Sequence, residues 1–151
     1  MKLVDANLLL YAVDESSHHH ALAKSWLEER LSGAETFAFA WAVLLAFIRL
    51  ATNPRVFDEP LPVPEALDLV DSWLAQPCAT VVHPTDRHSQ LLRELLALLG
   101  TAGNLTSDGH LAALAIEHGA ELCSADADFS RFPRLQWVNP LARPSADQAP
   151  Q

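Results

Sequence analysis

Short apolar runs alternate with longer amphipathic ones from one end of the chain to the other. "KLVD" reads as a buried strand ending on Asp5, and "NLLLYAV" after it as an apolar helix. "SSHHHALAKSWLEERLSG" has helical spacing. Ser16 or Ser17 is placed to cap it, Ala21, Leu22, Trp26 and Leu27 form its stripe, and Gly33 stops it. "TFAFA" is a second strand running into "WAVLLAFIRLAT", a helix apolar almost all round and therefore buried. "NPRVFDEPLPVP" holds four of the ten prolines and predicts a long loop.

Pro64 opens the next helix, "PEALDLVDSWLAQ". "ATVVH" is a third strand. "DRHSQLLRELLALLG" is a helix with Leu91, Leu92, Leu95, Leu96 and Leu99 on its apolar side, and "GN" makes a turn. "TSDGHLAALAIEHG" is a further helix, capped by Thr106 or Ser107 and stopped by Gly119. "ELCSA" is a fourth strand, "DFSRFP" a loop or single turn, and "LQWV" a fifth short strand.

Short apolar strands alternating with helices predict an α/β fold, its sheet mainly parallel and covered on both faces. Ligands in such sheets bind outside the carboxyl ends of the strands, so the residues just after each strand carry the most information. Residues 1–141 are expected to form one domain, and 142–151, rich in Pro, Ala and Gln, a frayed tail. The apolar runs are too short to span a bilayer, which takes roughly 18 residues, and "MKLVDAN" does not read as a signal peptide, so no membrane association is expected. Two cysteines in different predicted elements imply no disulfide framework and a reducing, cytoplasmic setting. Neither has an evident activating partner for nucleophilic chemistry.

The net charge of −9 argues against a broad basic surface that holds nucleic acid by phosphate contacts alone. It does not exclude nucleic acid as substrate, because clustered carboxylates filled by divalent cations become locally electropositive. Such a cluster forms if the first and fourth strands are parallel and adjacent. Asp5 ends the first strand, Asp126 and Asp128 follow the fourth, and Asp108 lies in the first turn of the preceding helix. Taken singly, each has a plainer role: Asp5 as a helix cap, Asp108 as a complement to a helix dipole, Asp126 and Asp128 as turn formers. Gathered at one sheet edge, four carboxylates cannot all ionise freely, and a hard, oxygen-preferring cation such as Mg²⁺ or Mn²⁺ resolves the conflict. The chemistry that follows is metal-assisted phosphodiester hydrolysis by an activated water. Asn7 and Ser124 are placed to hydrogen-bond the metal-binding carboxylates.

Other polar residues point less clearly. His18, His19 and His20 are consecutive, and successive helical residues diverge by about 100°, so they cannot share one ion from a regular helix. His110, two residues from Asp108, is either a substrate-orienting group or a packed histidine, and His88 has the same ambiguity. Arg49 either touches substrate phosphate or pairs with a buried acid. Arg49, Arg55, Arg87, Arg93, Arg131 and Arg134 are the donors available to a local phosphate groove. No glycine-rich phosphate loop is present.

"LVDANLLLYA", "NLTSDGHLAALAIEHGAEL" and "SADADFSRFPRLQWVNPL", in that order, resemble the PIN-domain family, and more closely the toxin ribonucleases of VapBC-type toxin–antitoxin pairs. The resemblance spans nearly the whole chain. It implies a three-layer α/β/α sandwich with a mainly parallel sheet of about five strands. It also implies Mg²⁺- or Mn²⁺-dependent endoribonuclease activity on cellular RNA, a homodimer, and a cognate VapB-type antitoxin that assembles with the toxin and inserts a segment, often bearing arginine, into the acidic site. It carries the catalytic and metal-binding roles to Asp5, Asp108, Asp126 and Asp128. One position departs: where the family often has a glutamate in the helix after the second strand, this chain has Ala46. Either three or four aspartates suffice with waters completing the metal shell, or another acid reaches in, with Asp14, Glu15, Asp58 and Glu59 as the candidates.

Two other readings remain open. A degenerate PIN domain would bind RNA or antitoxin without cutting. A haloacid-dehalogenase-type phosphatase would need an acid two residues after Asp5, where this chain has Asn7, and a suitably placed lysine beyond Lys2 and Lys24.

Overall fold

A computed structural model describes residues 1–100 and 103–142. From position 143 onward, the expected tail lies outside the described residues. The elements in chain order are β1 (Lys2–Val4), α1 (Ala6–Val13), α2 (His20–Leu31), β2 (Phe37–Phe39), α3 (Trp41–Ala51), α4 (Val63–Leu74), β3 (Ala79–Val81), α5 (His88–Ala97), a 3₁₀ turn (Gly103–Leu105), α6 (Thr106–Glu117), β4 (Glu121–Cys123), a second 3₁₀ turn (Ala127–Arg131) and β5 (Trp137–Val138).

The five strands form one parallel sheet in the order β3-β2-β1-β4-β5. Two successive crossovers run from β1 to β2 to β3, and the connection from β3 to β4 returns across the sheet. Right-handed crossovers therefore put α1 to α4 on one face and α5 and α6 on the other. The result is three layers, α/β/α. The central strands are buried on both sides, which is why Leu3, Val4, Phe37, Ala38 and Phe39 form unbroken apolar runs rather than alternating ones. Trp73 of α4 stacks on Phe39 and meets the edge of Phe47 at 4.8 Å, which ties α3 and α4 to β2.

The chain leaves β1 toward β2 on one side, whereas β4 lies on the other. The switch point between β1 and β4 opens at the carboxyl edge of the sheet, where crevices form in parallel sheets.

Helix α3, expected to be buried, is covered on only one face: Trp41 and Leu45 stay 47% and 59% exposed, because only the side against the core is packed. Three further local expectations are corrected. First, α2 begins at His20, with no side-chain cap; Ser17 Oγ instead accepts the His19 N–H in the turn before it. Second, the buried positions of α2 are Ala23 and Leu27, with Trp26 packed against the core; Ala21 is exposed and Leu22 is 61% exposed. Third, neither Thr106 nor Ser107 caps α6; Thr106 lies within the helix, and its hydroxyl donates to the Gly103 carbonyl.

Candidate metal centre

Asp5 follows β1 directly and caps α1. Its Oδ1 accepts the Ala6 N–H at 2.7 Å, while Oδ2 accepts the Ser124 hydroxyl at 2.7 Å and the Asn7 amide at 3.4 Å. The helix cap and the contacts to Ser124 and Asn7 therefore use different oxygens of one carboxylate.

Ser124, completely buried at the end of β4, is the hub of this contact. Its hydroxyl donates to Asp5 and accepts from the Asn7 amide at 3.1 Å and from the Asp126 N–H at 3.0 Å. The Asn7 carbonyl accepts the Ala125 N–H, and the Trp137 indole donates to the Ser124 carbonyl. Asn7 and Ser124 thus lock the ends of β1 and β4 together across the switch point.

Asp126 and Asp128 are joined by their turn. The Asp126 Oδ1 accepts the Asp128 N–H at 2.9 Å and starts the 3₁₀ segment. Asp108 approaches from the first turn of α6. Asp108, Asp126 and Asp128 each bring a carboxylate oxygen within 4.8 Å of the others. Burial pushes the Asp108 carboxyl up to about 6, and the charges of Asp126, Asp5 and Asp128 add to the rise. Burial also raises Asp5, against the lowering effect of its Ser124 and Ala6 hydrogen bonds, with Asp126 a smaller contributor to the rise. Asp108 therefore feels the other three acids, and Asp5 feels Asp126. The cation nearest the cluster in the ion-pair geometry is Arg131, 3.9 Å from Asp128, with both side chains exposed. An all-oxygen donor set, mutually repelling and partly desolvated, suits a hard divalent cation.

The remaining expected residues lie elsewhere. His110 Nδ1 is 2.9 Å from His88 Nε2, and His88 Nδ1 is 3.0 Å from Glu117 Oε1. The Glu117 side chain has no exposed surface and also accepts from the Thr85 N–H and hydroxyl. His110 is thus committed to the α5–α6 seam. Arg49 is exposed in the last turn of α3, and no carboxylate pairs with it among the described residues. Ala46 is half-buried on the same helix, and α3 contributes no acid. Asp14, Glu15, Asp58 and Glu59 do come together, but around a separate cavity of about 520 Å³ with Val13, Ser16, Phe57 and Leu61. Cys123 is buried, its thiol pushed up to about 12, which leaves it inert as a nucleophile.

Glu117 was not singled out by the sequence. Its partners lie 29 and 32 residues earlier, and "IEHG" at a helix end gives no hint of them.

The model of the PIN domain family matches residues 2–135. Ribonuclease VapC37 of Mycobacterium tuberculosis is 51% identical over 142 residues, covering 94% of this chain and 99% of that protein. Ribonuclease VapC33 of the same species is 40% identical, covering 93% and 99%. In structure, the chain is similar to VapBC2 from Rickettsia felis, solved bound to a DNA fragment from its promoter, with a TM-score of 0.67 at 21% identity, covering 91% of this chain and 97% of that one. On the family match and the two long alignments, this chain belongs to the PIN domain family, where it groups with the VapC ribonucleases.

Proposed function

We propose that this chain is the toxin of a VapBC pair, an endoribonuclease that hydrolyses RNA phosphodiester bonds with Mg²⁺ or Mn²⁺. The observation that carries the reading is the convergence of Asp108, Asp126 and Asp128 within 4.8 Å, electrostatically coupled to Asp5. Asp108, Asp126 and Asp128 would hold the metal, with Asp5 as the fourth acid beside them. A bound divalent ion supplies an acidified water and charge neutralisation at a phosphate.

The chain's own residues prepare that chemistry. Ser124 and Asn7 hold Asp5 in one orientation. The Asp126–Asp128 turn fixes the spacing of two carboxylates. The first turn of α6 brings Asp108 to them. Asp108 must be deprotonated to bind a cation, so its raised pKa ties activity to neutral and higher pH.

The partner proposed is a cognate VapB-type antitoxin, in keeping with the VapBC relatives, with dimerisation of the toxin as a further expectation. A second reading, a domain that binds RNA or antitoxin without cutting, is favoured by one observation: α3 carries no acid, with Ala46 at the position where the resemblance leads one to expect glutamate. Calorimetry separates the two. Saturable Mn²⁺ binding that disappears in Asp108→Asn supports the nuclease; heat that is absent, or that ignores Asp108, supports the binding module.

A further inference from the structure

On α3, Trp41, Leu45 and Arg49 are spaced four residues apart and so lie one above another on a single helical face. The opposite face buries Val43, Leu44, Phe47 and Ala51. Trp41 is 47% exposed and Leu45 59% exposed. The other three tryptophans have work inside the protein. Trp26 meets the edge of Phe37, Trp73 packs on Phe39 and Phe47, and Trp137 donates to the Ser124 carbonyl. Trp41 has neither a ring partner nor a partner for its indole N–H among the described residues.

Its location is specific. The β1–β2 register pairs Leu3 with Ala38, and carried forward two residues it sets Asp5 beside Ala40. Trp41 is the next residue. Neighbouring strands are about 4.8 Å apart and consecutive Cα atoms about 3.8 Å, so that register puts the Trp41 backbone within about 9 Å of that of Asp5. The stripe therefore begins at the rim of the acidic site and ends in a guanidinium, with Arg55 exposed in the loop beyond.

We propose that Trp41 is a stacking platform for an unpaired base of the RNA substrate beside the acidic site, with Arg49 engaging the backbone farther along α3. The proposal rests on the ribonuclease reading. An exposed aromatic-aliphatic face can instead be covered by a second copy or by an antitoxin segment. RNA is favoured because the face abuts the candidate catalytic edge and carries a cation unpaired among the described residues, on a chain of net charge −9. Phosphates approaching such a chain need local positive charge, and single-stranded RNA is held by this combination of π-face and arginine.

The test uses Asp5→Asn protein, so that binding is read without turnover. A labelled single-stranded oligoribonucleotide of mixed sequence is titrated by anisotropy. Trp41→Ala in that background should weaken binding about 5- to 150-fold. Trp41→Phe should recover most of it, and affinity for an RNA duplex of equal length should not change. Arg49→Gln should weaken binding and lower the log–log salt slope by about one. Equal affinity of Trp41→Ala and its parent for the single strand overturns the inference while leaving the ribonuclease reading intact. So does unchanged RNA affinity accompanied by loss of a dimer in sedimentation, or by loss of antitoxin binding. Absence of any RNA binding by the parent overturns the ribonuclease reading and this inference with it.

Discussion

At the scale of single residues, the site depends on carboxylates that divide their oxygens between two tasks. Asp5 caps a helix with one oxygen and meets Ser124 with the other; Asp126 closes a turn with one and leaves the other free. This is why cap, turn former and ligand were all consistent readings of the same residues in the sequence. Ser124→Ala removes the hydroxyl that serves Asp5, Asn7 and Asp126. Loss of those buried hydrogen bonds is expected to cost about 1–3 kcal/mol, measured by denaturant unfolding. Asp108 gives a pH prediction. Its folded pKa of about 6 lies above the ordinary 3.8, so the folded state binds more protons than the unfolded one between those values. Metal-free stability from this group is therefore highest below pH 3.8 and is lost as pH rises through about 6. Asp108→Asn should raise the metal-free Tm at pH 7 and flatten its pH dependence between pH 4 and 6. Mn²⁺ affinity of the wild type should move the opposite way, falling as pH drops through about 6.

At the scale of elements, the sequence was most legible where burial is complete. The short apolar runs that became β1, β2 and β4 have no polar position to misread, and each acid was correctly set just beyond a strand or at a helix start. It was least legible where the backbone found an unexpected partner. Ser17 satisfied a turn rather than a helix end, so α2 starts later, and its core-facing positions are the buried Ala23 and Leu27 with the partly buried Trp26. The α5–α6 seam was not legible either, because its contacts are long-range. There the buried Glu117 accepts from Thr85 and pairs with His88, which in turn meets His110. Glu117→Ala would take the acceptor from the exposed Thr85 N–H and from the largely buried His88 side chain. The expected loss is about 1–3 kcal/mol, with Glu117→Gln milder; paired urea melts check both.

At the scale of the molecule, strand order is what assembles the site. Asp5 and Asp126 are 121 positions apart, and only the β1–β4 pairing, with the switch of direction beside it, brings them to one edge. Spacing along the chain cannot reveal which strands are neighbours; in the sequence their adjacency is only a condition, and the sheet order meets it. The net charge of −9 makes a further prediction at this scale. If metal and a few arginines create a local phosphate groove, RNA affinity should fall steeply between 50 and 200 mM salt, although the chain is acidic. A flat response in filter binding would count against such a groove.

The most direct test of the metal-dependent nuclease is cleavage of a single RNA substrate under three conditions: wild type with Mg²⁺ or Mn²⁺, wild type with excess chelator, and Asp5→Asn with metal. The four-aspartate site predicts cleavage in the first alone, restored to the chelated protein when metal is added back. Cleavage that survives chelation, or that Asp5→Asn performs as well as the wild type, would contradict it.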